Sequence, residues 1–313
     1  MVVLLILLGI LAVLAVLGVA YEATAAAHDA RAYPPTGELV SVNDTKLHAV
    51  VTGRELPGPT VVCEAGSGGF GMEWDALRDR LADRLPFVAY DRAGLGWSEP
   101  GTNPRNGAAL AADLHILLDQ LAVPKPVILV AHSLGGLYAL DYVGRYPDDL
   151  AGLVLVDSSM PDLLERVSVN AAQRRLMMVG ALRRIGVLRL LRRFVFPQAK
   201  RFPPDQHDAY LAASLRSMPG IVAEVRGALA PGGLTLPASL GDVPLAVVTR
   251  SVVEEAPQSR RWLERQQTLC ELSTHSTHVV AERAGSYVHL EEPERVAEAV
   301  LHEAAVAAGD ADG

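Results

Sequence analysis

Apolar and polar positions follow three different rhythms along this chain, and each rhythm predicts a different element. Residues 1–21 form an almost unbroken apolar run interrupted only by glycines. About twenty such residues suffice for one helix to cross a bilayer. Residues 22–37 are more polar, close on Pro34-Pro35, and read as a juxtamembrane linker. Short runs follow. Glu38–Val42 and Lys46–Thr52, separated by Asn43-Asp44, predict a hairpin. Thr60–Glu64, Phe87–Tyr90, Val127–Ala131, Leu153–Val156, Val243–Thr249 and His278–Ala281 are apolar stretches too short for buried helices, and predict strands. Between them, Trp74, Leu77, Leu81 and Leu85, then Leu110, Leu114, Leu117, Leu118 and Leu121, recur at helical spacing. Strands alternating with amphipathic helices predict an α/β domain, a mostly parallel sheet covered on both faces. The rhythm breaks at about 161–242, where the pattern is mostly helical, an inserted cap. The domain spans 38–308, its last helix begins near Glu291, and Gly309–Gly313 is a frayed tail.

Composition narrows the possibilities. The balance of 28 basic against 36 acidic side chains gives a net charge of −8, which argues against nucleic acid as a general partner. Cys63 and Cys270 form neither a disulfide framework nor a zinc site by themselves. A cleaved signal peptide competes with the membrane anchor, because Ala23–Ala27 offers small-residue cleavage sites. However, no Lys or Arg precedes the apolar run, and the run exceeds a typical signal core. A retained single-pass anchor is therefore expected, its orientation not readable from so few flanking basic residues.

The candidate chemistry centres on Val127-Ile-Leu-Val-Ala131-His132-Ser133-Leu134-Gly135-Gly136. A strand running into a hydroxyl between small residues, then into a helical pattern, is the setting of a nucleophile elbow. The bland alternative is Ser133 as a simple helix N-cap. Ala65-Gly-Ser-Gly-Gly69 follows an earlier strand, and its spacing does not fit a dinucleotide fingerprint. An oxyanion loop fits better, with backbone N–H groups of Ser67 and Leu134 aimed at one place. Asp91-Arg92 begins a glycine-bearing loop, and its side chains are expected to pin that loop. No ligand cluster is visible, so no metal or organic cofactor is implied.

Glu64–Gly69, Tyr90–Ser98, Ala131–Gly136 and Leu153–Asp157, in this order and spacing, resemble the α/β-hydrolase superfamily of esterases, lipases and epoxide hydrolases. The resemblance covers about 38–308. It implies a nucleophile at Ser133 and an acid at a strand end beyond it, either Asp157 or, second, Glu254. The alternative for Asp157 is a carboxylate capping the next turn. In similar enzymes a Gly-His pair follows the last strand, but here Gly285 precedes Ser286. Serine cannot accept the nucleophile's proton near neutral pH. His289, three residues on, is expected to replace the base if the loop is re-shaped, with a helix-start residue as its bland reading. His132 faces away from the hydroxyl, His275 and His278 lie at the wrong strand end, and His207 belongs to the cap.

The resulting expectation is a membrane-anchored serine hydrolase acting on apolar or lipid-derived esters through Ser133, His289 and Asp157. The alternative, of another class, is a non-catalytic binding protein that has lost the triad histidine. In the cap, Arg174-Arg175, Arg183-Arg184, Arg189 and Arg192-Arg193 alternate with leucines and methionines. That pattern suits either a helix lying in a lipid interface or a lid burying its leucines over the site.

Overall fold

The computed structural model describes residues 1–102, 104–160, 169–230, 232–251 and 257–309. Eight strands form one sheet in the order β1-β2-β4-β3-β5-β6-β7-β8. The strands are β1 (Glu38–Val42), β2 (Thr45–Thr52), β3 (Val61–Glu64), β4 (Phe87–Tyr90), β5 (Val127–His132), β6 (Leu150–Val156), β7 (Leu245–Arg250) and β8 (Ser276–Ala281). β2 pairs antiparallel with both β1 and β4, and all the other pairs are parallel. Each predicted strand is present, with ends shifted by a few residues where polar positions extend the ladder.

Alternation along β5 assigns the two faces. Val127, Leu129 and Ala131 join the core beneath α3 (Gly107–Gln120) and α4 (Leu134–Arg145). Ile128 and Val130 join the opposite core with α2 (Asp75–Leu81) and the C-terminal helix Pro293–Ala308. A strand buried on both faces needs no polar position, which is why β5 reads as one apolar run. The cap between β6 and β7 is helical where described. It comprises α5 (Val169–Arg184), the single turns α6 (Val187–Leu190) and α7 (Arg192–Val195), and α8 (His207–Ala228). Its own small core gathers Phe196, Phe202, Tyr210 and Leu215 over Phe70.

The N-terminal helix departs from the expected boundary. α1 runs from Val2 to Ala32, through most of the segment read as a linker. The alanines between Glu22 and Ala32 are strong helix formers, and the extension has a docking partner. Arg189, buried in the cap, donates to Glu22 Oε2 at 2.7 Å and pairs with Asp29. Gly18 touches the cap as well, since an added Cβ would lie 2.3 Å from the Ile185 carbonyl oxygen. The side chains of residues 2–17 are almost all exposed.

The Asp91–Ser98 loop is pinned as its residues suggested. Asp91 accepts from the amides of Gly71 and Trp97, each at 2.7 Å, and from His48 Nδ1. Arg92 is buried and pairs with Glu64. It donates to the carbonyls of Ala65 at 2.6 Å and Gly66 at 2.8 Å, and reaches Glu224 of α8 through Nε at 2.7 Å. One guanidinium thus ties β3, the glycine loop and the cap together. Arg92→Leu removes the closest cation from both buried carboxylates, leaving Glu64 the Tyr90 hydroxyl and Glu224 the Arg105 guanidinium, and should lower the unfolding free energy by about 3–5 kcal/mol. Urea denaturation measures this, and adding Glu64→Gln and Glu224→Gln should recover part of the loss.

Candidate active site

Ser133 stands at the β5–α4 junction with φ 50° and ψ −122°. That is a costly conformation for a residue carrying Cβ, of order 1–3 kcal/mol. Crowding at the junction explains the small neighbours. A Cβ on Gly135 would lie 2.4 Å from the Ala65 carbonyl oxygen, and one on Gly136 would lie 1.9 Å from Ser158 Oγ. Ser133 makes no side-chain cap bond to α4, which removes the simple N-cap reading. Its hydroxyl has one protein neighbour among the described residues, Ser159 Oγ at 3.4 Å. It lines a cavity of about 250 Å³ with the glycine loop, Tyr210, Ser286 and Tyr287.

The ladder fixes the next group. His132 pairs with Val156, the Ser133 amide donates to the Val156 carbonyl at 3.1 Å, and the Asp157 amide to Val248 at 2.8 Å. Ser133 and Asp157 therefore follow the ends of adjacent parallel strands, which lie about 4.8 Å apart. Asp157 is buried at φ 42° and has three side-chain partners, two hydrogen-bond donors and one ion pair. These are Ser286 Oγ at 2.7 Å, Trp262 Nε1 at 2.8 Å and Arg250 Nη1 at 3.3 Å. Burial raises its pKa, and Arg250, Ser286 and Trp262 oppose that rise. Glu254, the second candidate acid, lies outside the described residues.

The substitute base is where expectation and geometry part. Ser286, not His289, touches Asp157. His289 is the second residue of a single helical turn, Val288–Glu291, and its ring is buried. The ring is fully buried, lies 4.5 Å from the Trp74 ring and 4.4 Å from the His132 ring, and bonds to neither Ser133 nor Asp157. Burial, with His132 and Arg201 nearby, holds its pKa well below the usual histidine value. His132 donates Nε2–H to the Ser286 carbonyl at 2.9 Å, and burial pushes its pKa down to about 4. His207, His275 and His278 bond Phe202, Thr274 and Thr249 respectively. Among the described residues, no imidazole bonds the hydroxyl or the acid.

The two residues expected to hold an oxyanion sit at the glycine loop and at the start of α4. Ser67 lies in the glycine loop lining the cavity, and Leu134 is the first residue of α4, so its N–H has no intrahelical acceptor. Three neighbours of the site were not read from the sequence. Arg250 ends β7, beside the strand that Asp157 follows, so its position alone could have flagged it. Trp262 lies on the helix Pro257–Leu269, whose sequence gives no sign of its bond to Asp157. Glu73, buried with its pKa raised by desolvation to about 7, had no sequence signal.

An α/β sheet with a strained serine after its fifth strand and an acid after its sixth defines a hydrolase-type fold. The chain belongs to the alpha/beta hydrolase family, whose model matches residues 57–299. Over 121 residues it is 33% identical to the (lyso)-N-acylphosphatidylethanolamine lipase of Bos taurus, covering 37% of this chain and 35% of that protein. Over 130 residues it is 30% identical to the cis-3-alkyl-4-alkyloxetan-2-one decarboxylase of Shewanella oneidensis, covering 40% of each. The chain spans less than half the length of the curated relatives it matches. Among solved structures, a thermophilic esterase from Thermogutta terrifontis superposes with a TM-score of 0.63 at 24% identity, over 84% of this chain and 96% of that one. An epoxide hydrolase from Bacillus megaterium gives 0.65 at 16% identity, over 85% and 99%.

The strain at Ser133 is testable alone. Glycine adopts positive φ without penalty, so Ser133→Gly should unfold no more easily than the parent protein and gain up to about 1 kcal/mol. A loss above that size in thermal denaturation would show that the hydroxyl, not the turn, holds the junction.

Proposed function

We propose that this protein is a membrane-tethered ester hydrolase whose relay lacks its imidazole, so that turnover is slow. The observation carrying this reading is the pairing of Ser286 with Asp157, beside a strained Ser133 in an open cavity. Ser133 Oγ attacks the acyl carbon, the amides of Ser67 and Leu134 receive the oxyanion, and the alcohol departs. Water then cleaves the acyl-enzyme. The serine proton passes to solvent, because no described imidazole stands ready to take it. General-base catalysis is worth about 10²–10⁴-fold, and that factor is forgone.

A non-catalytic binding role is the second reading. Its support is that Asp157 is already engaged by two hydrogen bonds and an ion pair.

Apolar, lipid-derived substrates are favoured by the lipase among the relatives and by apolar side chains exposed on the cap. Leu190, Leu191, Phe194 and Val195 are exposed on the cap, close in sequence to the Ile185–Gly186 contact with α1. Meanwhile Arg189, Arg192 and Arg193 are engaged by acidic partners. This distribution suits a cap resting on lipid beside the anchor. The Arg189 pairing favours retention of α1, since cleavage near Ala27 would remove Glu22 and leave a buried cation short of a partner.

A fluorophosphonate probe should label Ser133 slowly with loss of fluoride, and Ser133→Ala should abolish labelling. Ser286→His places an imidazole beside the cavity and against Asp157. It should raise esterase turnover by about 10²–10⁴-fold. That turnover should climb with pH through about 6.5, as the imidazole loses its proton and becomes a base. Absent labelling in the parent, with no gain in Ser286→His, would leave the binding reading standing.

Protein isolated from cells should sediment with membranes and retain residues 1–21 by N-terminal sequencing. A mature terminus at Ala27 or His28 would instead identify a signal peptide.

A further inference from the structure

Beneath the elbow the fold assembles a group of side chains that the hydrolase reading does not use. Glu73, His132 and His289 come from a 3-10 turn (Gly71–Trp74), the end of β5 and the turn Val288–Glu291. Each presents one potential ligand atom, and these atoms lie within 4.8 Å of one another. The closest approach to Glu73 Oε2 by the His289 ring is from Nε2, at 4.0 Å. All three residues are more than nine-tenths buried.

The hydrogen bonds around the group are those that ready side chains for a cation. His132 donates Nε2–H to the Ser286 carbonyl, which fixes its tautomer and leaves a bare lone pair on Nδ1. That Nδ1 is buried without a partner, as are both ring nitrogens of His289. Glu73 is oriented through its other oxygen, where Tyr210 OH donates to Oε1 at 2.7 Å, leaving Oε2 toward the imidazoles. Protein metal sites are built this way. A ligating histidine donates its second nitrogen to a carbonyl, and a ligating carboxylate is itself hydrogen-bonded. Buried polar atoms normally find partners, so unpaired nitrogens gathered beside a carboxylate call for one.

We propose that Glu73, His132 and His289 bind a divalent transition-metal ion of the zinc class. Two imidazoles and one carboxylate form a known zinc donor set that leaves a fourth position open. Glu73 and His132 also line the cavity that holds Ser133, so that position faces the same space. Zinc bonds to nitrogen and oxygen are about 2.0–2.2 Å, so the ligand atoms must close by about 1 Å when the ion enters. Rotation of the Glu73 carboxylate and the His289 ring supplies such a movement. The sequence concealed the site because its donors are far apart in the chain and each sits in an ordinary setting. The inference is independent of whether the protein hydrolyses esters.

The test uses the full chain in detergent, stripped with a chelator and titrated with Zn²⁺ by calorimetry and elemental analysis. Binding of one ion per chain is expected. Co²⁺ in its place should give the intense visible absorption of a four-coordinate centre. Glu73→Gln and His289→Gln should weaken Zn²⁺ binding by at least about tenfold. Tyr210→Phe, which touches only the orienting bond, should weaken it by about 10–100-fold. The parent should gain thermal stability on adding Zn²⁺, and Glu73→Gln should not. No saturable binding to the parent, or binding unchanged in both Glu73→Gln and Tyr210→Phe, would overturn the assignment. The last two variants keep the test decisive should His289→Gln fail to fold.

Discussion

A single buried cation sets the conditions for everything near the cavity. Arg92 satisfies two loop carbonyls and two carboxylates that lie far apart in the chain. Burying a charge is tolerable only when it is paired and hydrogen-bonded, so its position is over-determined. The glycine loop gains from this a shape that its own residues could not hold, because glycines carry little conformational preference. The cap gains an attachment point at Glu224, deep within α8. The loop that would receive an oxyanion and the lid above it are thus held by one side chain.

Features governed by local chemistry were readable in the sequence. The apolar period placed all eight strands, and the small residues around Ser133 marked the turn because their reason is steric and lies within the motif. Asp91 and Arg92 were understood as loop anchors because a polar loop after a strand needs internal partners. Features set by tertiary packing were not readable. The resemblance puts Ser286 where similar enzymes carry a histidine, but does not reveal that its hydroxyl closes onto Asp157. His289 is close enough along the chain to suggest a substitute, but a one-turn helix commits its ring to the packing against Trp74. The continuation of α1 past Tyr21 depended on Arg189, more than 160 residues away.

The site combines strict and relaxed parts. Backbone pairing fixes Ser133 and Asp157, since both follow residues engaged in the parallel ladder. The third position is held by a loop after β8 and owes nothing to that ladder. A substitution at Ser286 therefore leaves the backbone placement of the other two undisturbed. The same independence lets Ser286 serve two neighbours at once, its hydroxyl on Asp157 and its carbonyl on His132.

The helix α1 carries a mechanical consequence. It is one uninterrupted 31-residue element, which at 1.5 Å per residue is a rod about 46 Å long. Its C-terminal third is clasped by the cap, and its apolar remainder matches the thickness of a bilayer. With no hinge between the two, a retained α1 makes the cap and the membrane segment a single lever. Any outward swing of the cap then tilts the helix within the lipid, and any change in bilayer thickness pushes back on the cap. In a chain held in a bilayer by α1, access to the cavity would then respond to the physical state of the membrane, with no ligand as intermediary.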